Sequence, residues 1–307
     1  MRMKTRRGLI GTLALAGAAA LLLSACSTSG AADKGDGSGD EPATPAGNFG
    51  DCEITENPEV HELDLIEPGN VTTKVPLPTP GAIIGDTPDT VSGGYLYCIA
   101  AEIANRGGAS DITLQNTTFE AIISGVDSDF DYTVWDVIIT PEREEVIDFA
   151  TPYRTFDATV VTLEGSDVTP ENFKDKRIGT LNGARQAPWI EENVKPSQQL
   201  RAYNENQEMI TALITGQIDA FVHDTDGALL FVGENIDQGL VPVGRLPIEF
   251  SVGPVLKKGD PNTPAVSKIV EDMLADGTMD AIYEKWVYPK WGGYTVDDIP
   301  EWNVATN

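Results

Sequence analysis

The residues in this chain best placed to do chemistry are charged side chains beside breaks in the apolar pattern. In Ile139-Thr140-Pro141-Glu142-Arg143, Thr140 can cap a helix and Pro141 suits the first helical position. The start of a helix offers unpaired N–H groups and partial positive charge, which suits an anion. Arg143 falls in that first turn, where a cation is mildly unfavourable to the helix. Its guanidinium can grip a carboxylate through two parallel hydrogen bonds. A surface Arg143 paired with Glu142 or Glu145 fits the spacing equally well. Further along, Asp224 ends the run Ile218–His223 and precedes Thr225-Asp226-Gly227. It can cap a helix, and a carboxylate has acceptor sites left over for a ligand ammonium.

Other chemistries find little support. His61 and His223 are the two histidines, and neither lies at ligand spacing from another His or a Cys, so no metal site and no cofactor are expected. No nucleophile–His–acid set is visible. The three cysteines are Cys26, Cys52 and Cys98. If Cys26 is otherwise occupied, an oxidising compartment favours a Cys52–Cys98 disulfide, with two separate buried thiols as the alternative. The bridge would close a loop of about 46 residues, a stabilisation of roughly 4 kcal/mol in the chain-entropy model.

Strand-like and helix-like segments alternate from residue 60 to 290, which argues for an α/β fold. Strands are predicted at Val71–Val75, Ile112–Gln115, Asp131–Ile139, Thr159–Leu163, Arg177–Leu181 and Ile218–His223. Helices are predicted at Tyr95–Asn105, Thr118–Ser124, Asn206–Thr215, Pro264–Asp276 and Thr278–Trp286, several of them stopped by glycine. One internal similarity organises this pattern. Residues 117–136 and 206–224 each read as a helix, a Gly stop, a strand containing Asp and a terminal Asp. Asp131 falls against Asp219, and Asp136 against Asp224. Two related lobes imply a cleft, with Asp136 and Asp224 at strand ends, where open α/β sheets bind ligands.

The N-terminus addresses the compartment. MRMKTRRG precedes a short apolar core and Leu23-Ser24-Ala25-Cys26. Basic residues, an apolar core and small residues before a cut site make a secretory signal, and the apolar run is short for a membrane span. Leu23–Cys26 resembles the bacterial lipobox, which implies that Cys26 is lipidated. Residues 27–50 are rich in Gly, Ser, Ala, Asp and Pro without apolar periodicity, the composition of a tether. With 21 Lys+Arg against 48 Asp+Glu and a net charge of −27, nucleic acid and anionic headgroups are poor partners.

Four stretches, in order, carry a family resemblance: ITPEREEVIDFATPY (139–153), FKDKRIGTLNGARQ (173–186), ITALITGQIDAFVHD (210–224), and VGPVLKKGD with DGTMDAIYEKW (252–286). They resemble the family 3 extracellular solute-binding proteins, polar amino-acid receptors of ABC importers. The resemblance implies that Arg143 binds a ligand α-carboxylate and Asp224 an α-amino group. It implies that Thr140 shapes the turn and that residue 138, here Ile138, offers backbone groups. The loop Gly183-Ala184-Arg185 would also reach the carboxylate, and Phe119 would pack on the ligand side chain. The chain departs from the family in five places. Arg185 adds a cation where a hydroxyl is common, Ile138 replaces a small or hydroxyl residue, and Asp136 stands where Ser, Gly or Ala is usual. Pro80-Gly81-Ala82-Ile83 replaces a Pro-Pro-Phe segment, and Gly94-Tyr95-Leu96-Tyr97-Cys98 replaces Gly-Phe-x-x-Asp.

The expected fold is a two-lobe clamp of the periplasmic-binding-protein type. A lipoprotein signal (1–25) and a lipidated tether (26–59) precede lobe one (60–156 plus 250–307) and lobe two (157–249). Thr155–Asp157 and Ile248–Val252 would form the hinge. The expected partners are a small zwitterionic solute, most simply an amino acid, an ABC transporter permease and, through the lipid, the membrane; the protein is expected to be a monomer. An enzyme on the same scaffold, resembling cyclohexadienyl dehydratase with Asp136 as its acid, is the alternative. A sensor domain is a third reading.

Overall fold

The computed structural model describes residues 48–304; Cys26 and the signal-like segment lie outside them. In chain order the strands are β1 (Asn70–Val75), β2 (Asp111–Asn116), β3 (Ile147–Phe149), β4 (Arg154–Leu163), β5 (Ile178–Leu181), β6 (Arg201–Tyr203), β7 (Ala220–Asp224), β8 (Leu240–Val252) and β9 (Val255–Lys257). The α-helices are α1 (Tyr95–Arg106), α2 (Phe119–Ile123), α3 (Pro141–Glu144), α4 (Gln186–Asn193), α5 (Asn206–Ile214), α6 (Thr225–Glu234), α7 (Thr263–Ala275) and α8 (Thr278–Trp286).

The first lobe starts from β1, rich in β-branched residues and buried from Val71 to Val75. It pairs in parallel with β2, so a crossover is required, and α1 supplies it. Helix α1 is buried along almost its whole length. At its end the buried Arg106 bonds Glu102 at 2.7 Å and Asp276 at 2.8 Å, tying α1 to the turn before α8. Cys52 and Cys98 are bonded to each other, which fastens the entering chain to α1. Residues 131–134 join this pair of strands to β9: the Asp131 N–H donates to the Thr72 carbonyl at 2.8 Å, and Thr133 exchanges bonds with Val255. β9 then pairs antiparallel with β3.

The predicted strand Asp131–Ile139 is therefore not continuous. It bridges neighbours at Thr133 and Ile138, and between them Asp136 takes a φ of 23°, which ends the pleat and re-aims its side chain. The paired aspartates of the internal similarity do behave alike. Asp131 accepts the N–H groups of Ile66 and Thr72, at 2.8 and 2.7 Å. Asp219 accepts the N–H of Arg177 at 2.7 Å. Each carboxylate thus fastens the start of a neighbouring strand in its own lobe.

The second lobe is built on one mixed sheet in the order β6-β5-β7-β4-β8, with β5, β6 and β7 parallel and β4 and β8 antiparallel to their neighbours. Apolar clusters cover both faces of this sheet. β4 and β8 are long and run out of the lobe to Arg154 and Val252, where Val252 also bridges Ile138 of the first lobe. Pro242 and Pro247 interrupt the apolar pattern of β8, and proline is tolerated there because β8 is an edge strand.

The end of the chain corrects one boundary. Residues 250–307 were expected in lobe one as a block, yet the described tail packs on lobe two. The Arg245 N–H donates to the Pro300 carbonyl at 2.8 Å, and the Trp302 N–H to the Arg245 carbonyl at 2.8 Å. This short pairing covers the open edge of β8. Trp302 sits in the second lobe's core, edge-on to Phe173, and fills the space above Gly244, where a Cβ would lie 2.0 Å from the indole. Among the described residues, no helix is long and apolar enough to cross a membrane.

Candidate solute-binding site

A cavity of about 540 Å³ opens between the lobes. Lobe one contributes Tyr95, Asp136, Ile138, Thr140 and Arg143; lobe two contributes Gly183, Ala184, Arg185, Asp224, Asp226 and Gly227. The carboxyl ends of β5 and β7 both point into it, the place where α/β sheets bind ligands. A second cavity, about 600 Å³, lies against β4, β8 and the C-terminal tail. Its arginines are already neutralised, Arg154 by Asp226 at 2.8 Å and Arg245 by Asp157 at 2.6 Å. The first cavity is different, because among the described residues its arginines have no acid in salt-bridge contact.

Arg143 rides on α3, which Thr140 caps through a long 3.4 Å bond from the Arg143 N–H. Its guanidinium donates to the Ile138 carbonyl at 2.6 Å and lies 5.3 Å from the Phe119 ring centre. The Ile138 carbonyl is thus spent on positioning Arg143. Arg185 stands just before α4 in the other lobe, and its guanidinium lies over Phe250. Among the described residues neither arginine forms a salt bridge. Burial first, and then the charge of Arg185, push the Arg143 guanidinium down, with Glu142 opposing. The two cations therefore sense one another across the cleft.

Acidic groups face them. Asp224 ends β7 and caps α6, its Oδ1 accepting the Gly227 N–H at 2.8 Å. Gly227 is required for this closure, since a Cβ there would lie 2.6 Å from His223 Nδ1. The same His223 nitrogen stands 2.6 Å from Asp224 Oδ2, but without an aligned hydrogen bond, so the pair is an ion contact. Burial works against both charges and is outweighed by their mutual attraction. The Asp224 carboxyl is held below its usual range and the His223 imidazole above. Asp226 takes two bonds from Arg154, at 2.8 and 3.2 Å.

Asp136 is held by two tyrosines: Tyr95 donates to one carboxylate oxygen and Tyr153 to the other, the latter at 2.8 Å. Asp136 is exposed to the open cleft. Desolvation by the protein packed around its carboxyl, with Asp226 and Asp224 nearby, still pushes it up to about 6 against the pull of the two hydroxyls.

The cavity brings together every expected site residue except Phe119. Phe119 opens α2 and leans into a small cluster with Trp135, beneath Arg143. It is a support for the guanidinium and does not line the cavity, because α2 faces the cluster around Ile122 and Val137. Tyr95, Asp226 and Lys290 line the cavity without having been singled out as site residues. The spacing Asp224-x-Asp226 ahead of a glycine could have flagged Asp226. Lys290 follows α8 in an irregular turn and carries no pattern.

Residues 83–289 match the family described as bacterial extracellular solute-binding proteins, family 3. This chain belongs to that family. The family 3 protein is 28% identical over 198 residues to the L-cystine-binding protein TcyJ of Escherichia coli (strain K12), covering 63% of this chain and 73% of that one. It is 27% identical to ABC transporter arginine-binding protein 1 of the same organism, over 57% of this chain and 68% of the relative. The L-cystine solute receptor of Neisseria gonorrhoeae, in its unliganded open conformation, shares the fold with a TM-score of 0.61 at 20% identity, covering 71% of this chain and 93% of that one. An ancestral arginine-binding protein bound to arginine aligns with a TM-score of 0.54 at 26% identity, over 71% and 98%. The two-lobe clamp is the fold of this family, and the family 3 protein is an extracytoplasmic binder of a polar solute, not an enzyme.

Proposed function

We propose that this protein captures a free α-amino acid and delivers it to an ABC importer, working as a monomer held at the outer face of the membrane by a lipid on Cys26. In this reading residues 1–25 are a signal and 157–249 the second lobe, to which the tail also adheres; the tether is shorter than the expected 26–59, because Phe49 lies in the first lobe's core and Cys52 is bonded to Cys98. One observation carries the ligand class: two guanidiniums that form no salt bridge among the described residues line a single cavity together with Asp224. Arg143 and Arg185 take the α-carboxylate, and the free acceptor sites of Asp224 take the α-ammonium. Thr140, Ile138, Gly183 and Ala184 shape the wall. The relatives' names, which cover cystine and arginine binding, support the same class. Because Arg143 and Asp224 belong to different lobes, a zwitterion binds the closed state better than the open one, which any shift toward closure requires.

A thermal-shift screen of amino acids and their amide and des-amino analogues tests the ligand class. A ligand at about a thousand times its Kd adds about 4 kcal/mol to stability. If no amino acid shifts the melting temperature, the proposal fails. The anchor is tested by Cys26→Ser, which should move the protein from the membrane fraction to the soluble one. Retention of the variant with the membranes would overturn the anchor.

A further inference from the structure

The geometry points to a second charged subsite at the far end of the same cleft, where Lys290 receives a carboxylate on the ligand's side chain. This inference rests on the amino-acid reading above and narrows it to solutes with two carboxylates.

Lys290 lies in the turn after α8 and lines the cavity. Its Nζ donates to the Gly81 carbonyl at 2.6 Å. An ammonium has three donors, so this bond leaves two. Among the described residues no carboxylate stands within salt-bridge distance of Lys290. Glu234 acts on it only from farther away, and burial lowers its affinity for the proton. A partly buried ammonium without a counter-ion is costly, and an anion from the ligand relieves that cost.

Its position sets the length of the ligand. Gly81, which Lys290 holds, stands beside Leu230 of α6: a Cβ on Gly81 would lie 4.0 Å from Leu230 Cδ2. Asp224 caps the start of that helix, and Leu230 is midway along it. Six residues at 1.5 Å each separate them, about 9 Å along the axis. The amino-acid head and Lys290 are therefore separated by a side chain of several bonds, and a cavity of about 540 Å³ has room for it.

The charge balance agrees. Among the described residues lining the cleft, Arg143, Arg185 and Lys290 have no acid in salt-bridge contact. On the acidic side, Asp226 is neutralised by Arg154 and Asp224 is in contact with His223, which leaves Asp136 as the acid without a cation. The excess is positive, and a zwitterionic head, with one charge of each sign, leaves it unchanged. A second carboxylate at Lys290 reduces it by one.

Calorimetry with four compounds of matched length separates the contributions. Norleucine has no distal charge, lysine has a distal ammonium, aminopimelate a distal carboxylate, and diaminopimelate both. On the wild type, aminopimelate and diaminopimelate should bind about tenfold or more tighter than norleucine and lysine, a difference of about 1.4 kcal/mol. Lys290→Met should abolish that preference. Lys290→Gln should abolish it too while keeping a donor for the Gly81 carbonyl, so loss of the loop contact is controlled for. Norleucine or lysine matching aminopimelate on the wild type overturns the subsite, as does a preference that survives in both variants. If all four fail while a shorter amino acid binds, the subsite is wrong and the amino-acid reading stands. If no amino acid binds at all, both are wrong.

Discussion

Removing either pole of the proposed zwitterion clamp should nearly abolish binding. Arg143 is pre-set for a carboxylate: Ile138 holds one guanidinium nitrogen, Phe119 supports the plane, and among the described residues no acid stands in salt-bridge contact with it. In a cleft closed over the ligand, Arg143→Ala leaves the α-carboxylate short of its charged partner, which costs about 2–5 kcal/mol. That corresponds to roughly thirtyfold to several-thousandfold in Kd. Arg185 remains nearby, so the single variant should fall at the low end, and Arg143→Ala with Arg185→Ala should be strongly non-additive because both cations serve one group. At the other pole, Asp224→Asn is the cleaner perturbation. Asparagine still accepts the Gly227 N–H and keeps the cap on α6, worth about 1 kcal/mol, while the charge is gone. The assay is titration calorimetry with the ligand from the screen, checked against melting temperatures. If Arg143→Ala and Asp224→Asn both bind within a few-fold of wild type, the assignment of this cleft is wrong.

Three further outcomes follow from the geometry. The Asp136 carboxyl is pushed up to about 6 in the fold from 3.8 ordinarily, chiefly by desolvation. The unfolded chain therefore ionises first, and Asp136 lowers stability as pH rises from about 4 to 6; melting curves should show that this loss is smaller in Asp136→Asn, and parallel curves would refute it. Replacing Cys52 and Cys98 with serine opens a 46-residue separation and should lower unfolding free energy by roughly 4 kcal/mol in denaturant titrations. Gly244→Ala drives a methyl into Trp302, so the tail must leave β8; tryptophan fluorescence should report a more exposed indole, and an unchanged spectrum would contradict the packing.

Much of this architecture was legible from the residues alone, for identifiable reasons. β1, α1 and α5 announce themselves because their apolar spacing and glycine stops are local properties. Asp131 and Asp219 stood out because a repeated carboxylate fastens a strand in both lobes. Other features depend on partners distant in sequence. β8 hides behind two prolines that only an edge position tolerates. Residues 131–139 have strand-like composition, yet the turn at Asp136 is dictated by Tyr95 and Tyr153 meeting its carboxylate from elsewhere. Phe119 has the composition of a ligand contact, and only the packing of α2 directs it beneath Arg143. Lys290 owes its place to Gly81, some two hundred residues earlier, and no spacing rule reaches that far.

The pairing of the tail with β8 also decides how motion in this molecule can be observed. The first described residues are attached to the first lobe, where Asn48 bridges Asp111 and Phe49 is in the core. The last are attached to the second lobe through Pro300 and Trp302. The two ends of the folded body thus ride on opposite jaws. A donor dye near one end and an acceptor near the other form a ruler across the hinge, and their energy transfer reads the jaw angle on single molecules without any label inside the cleft.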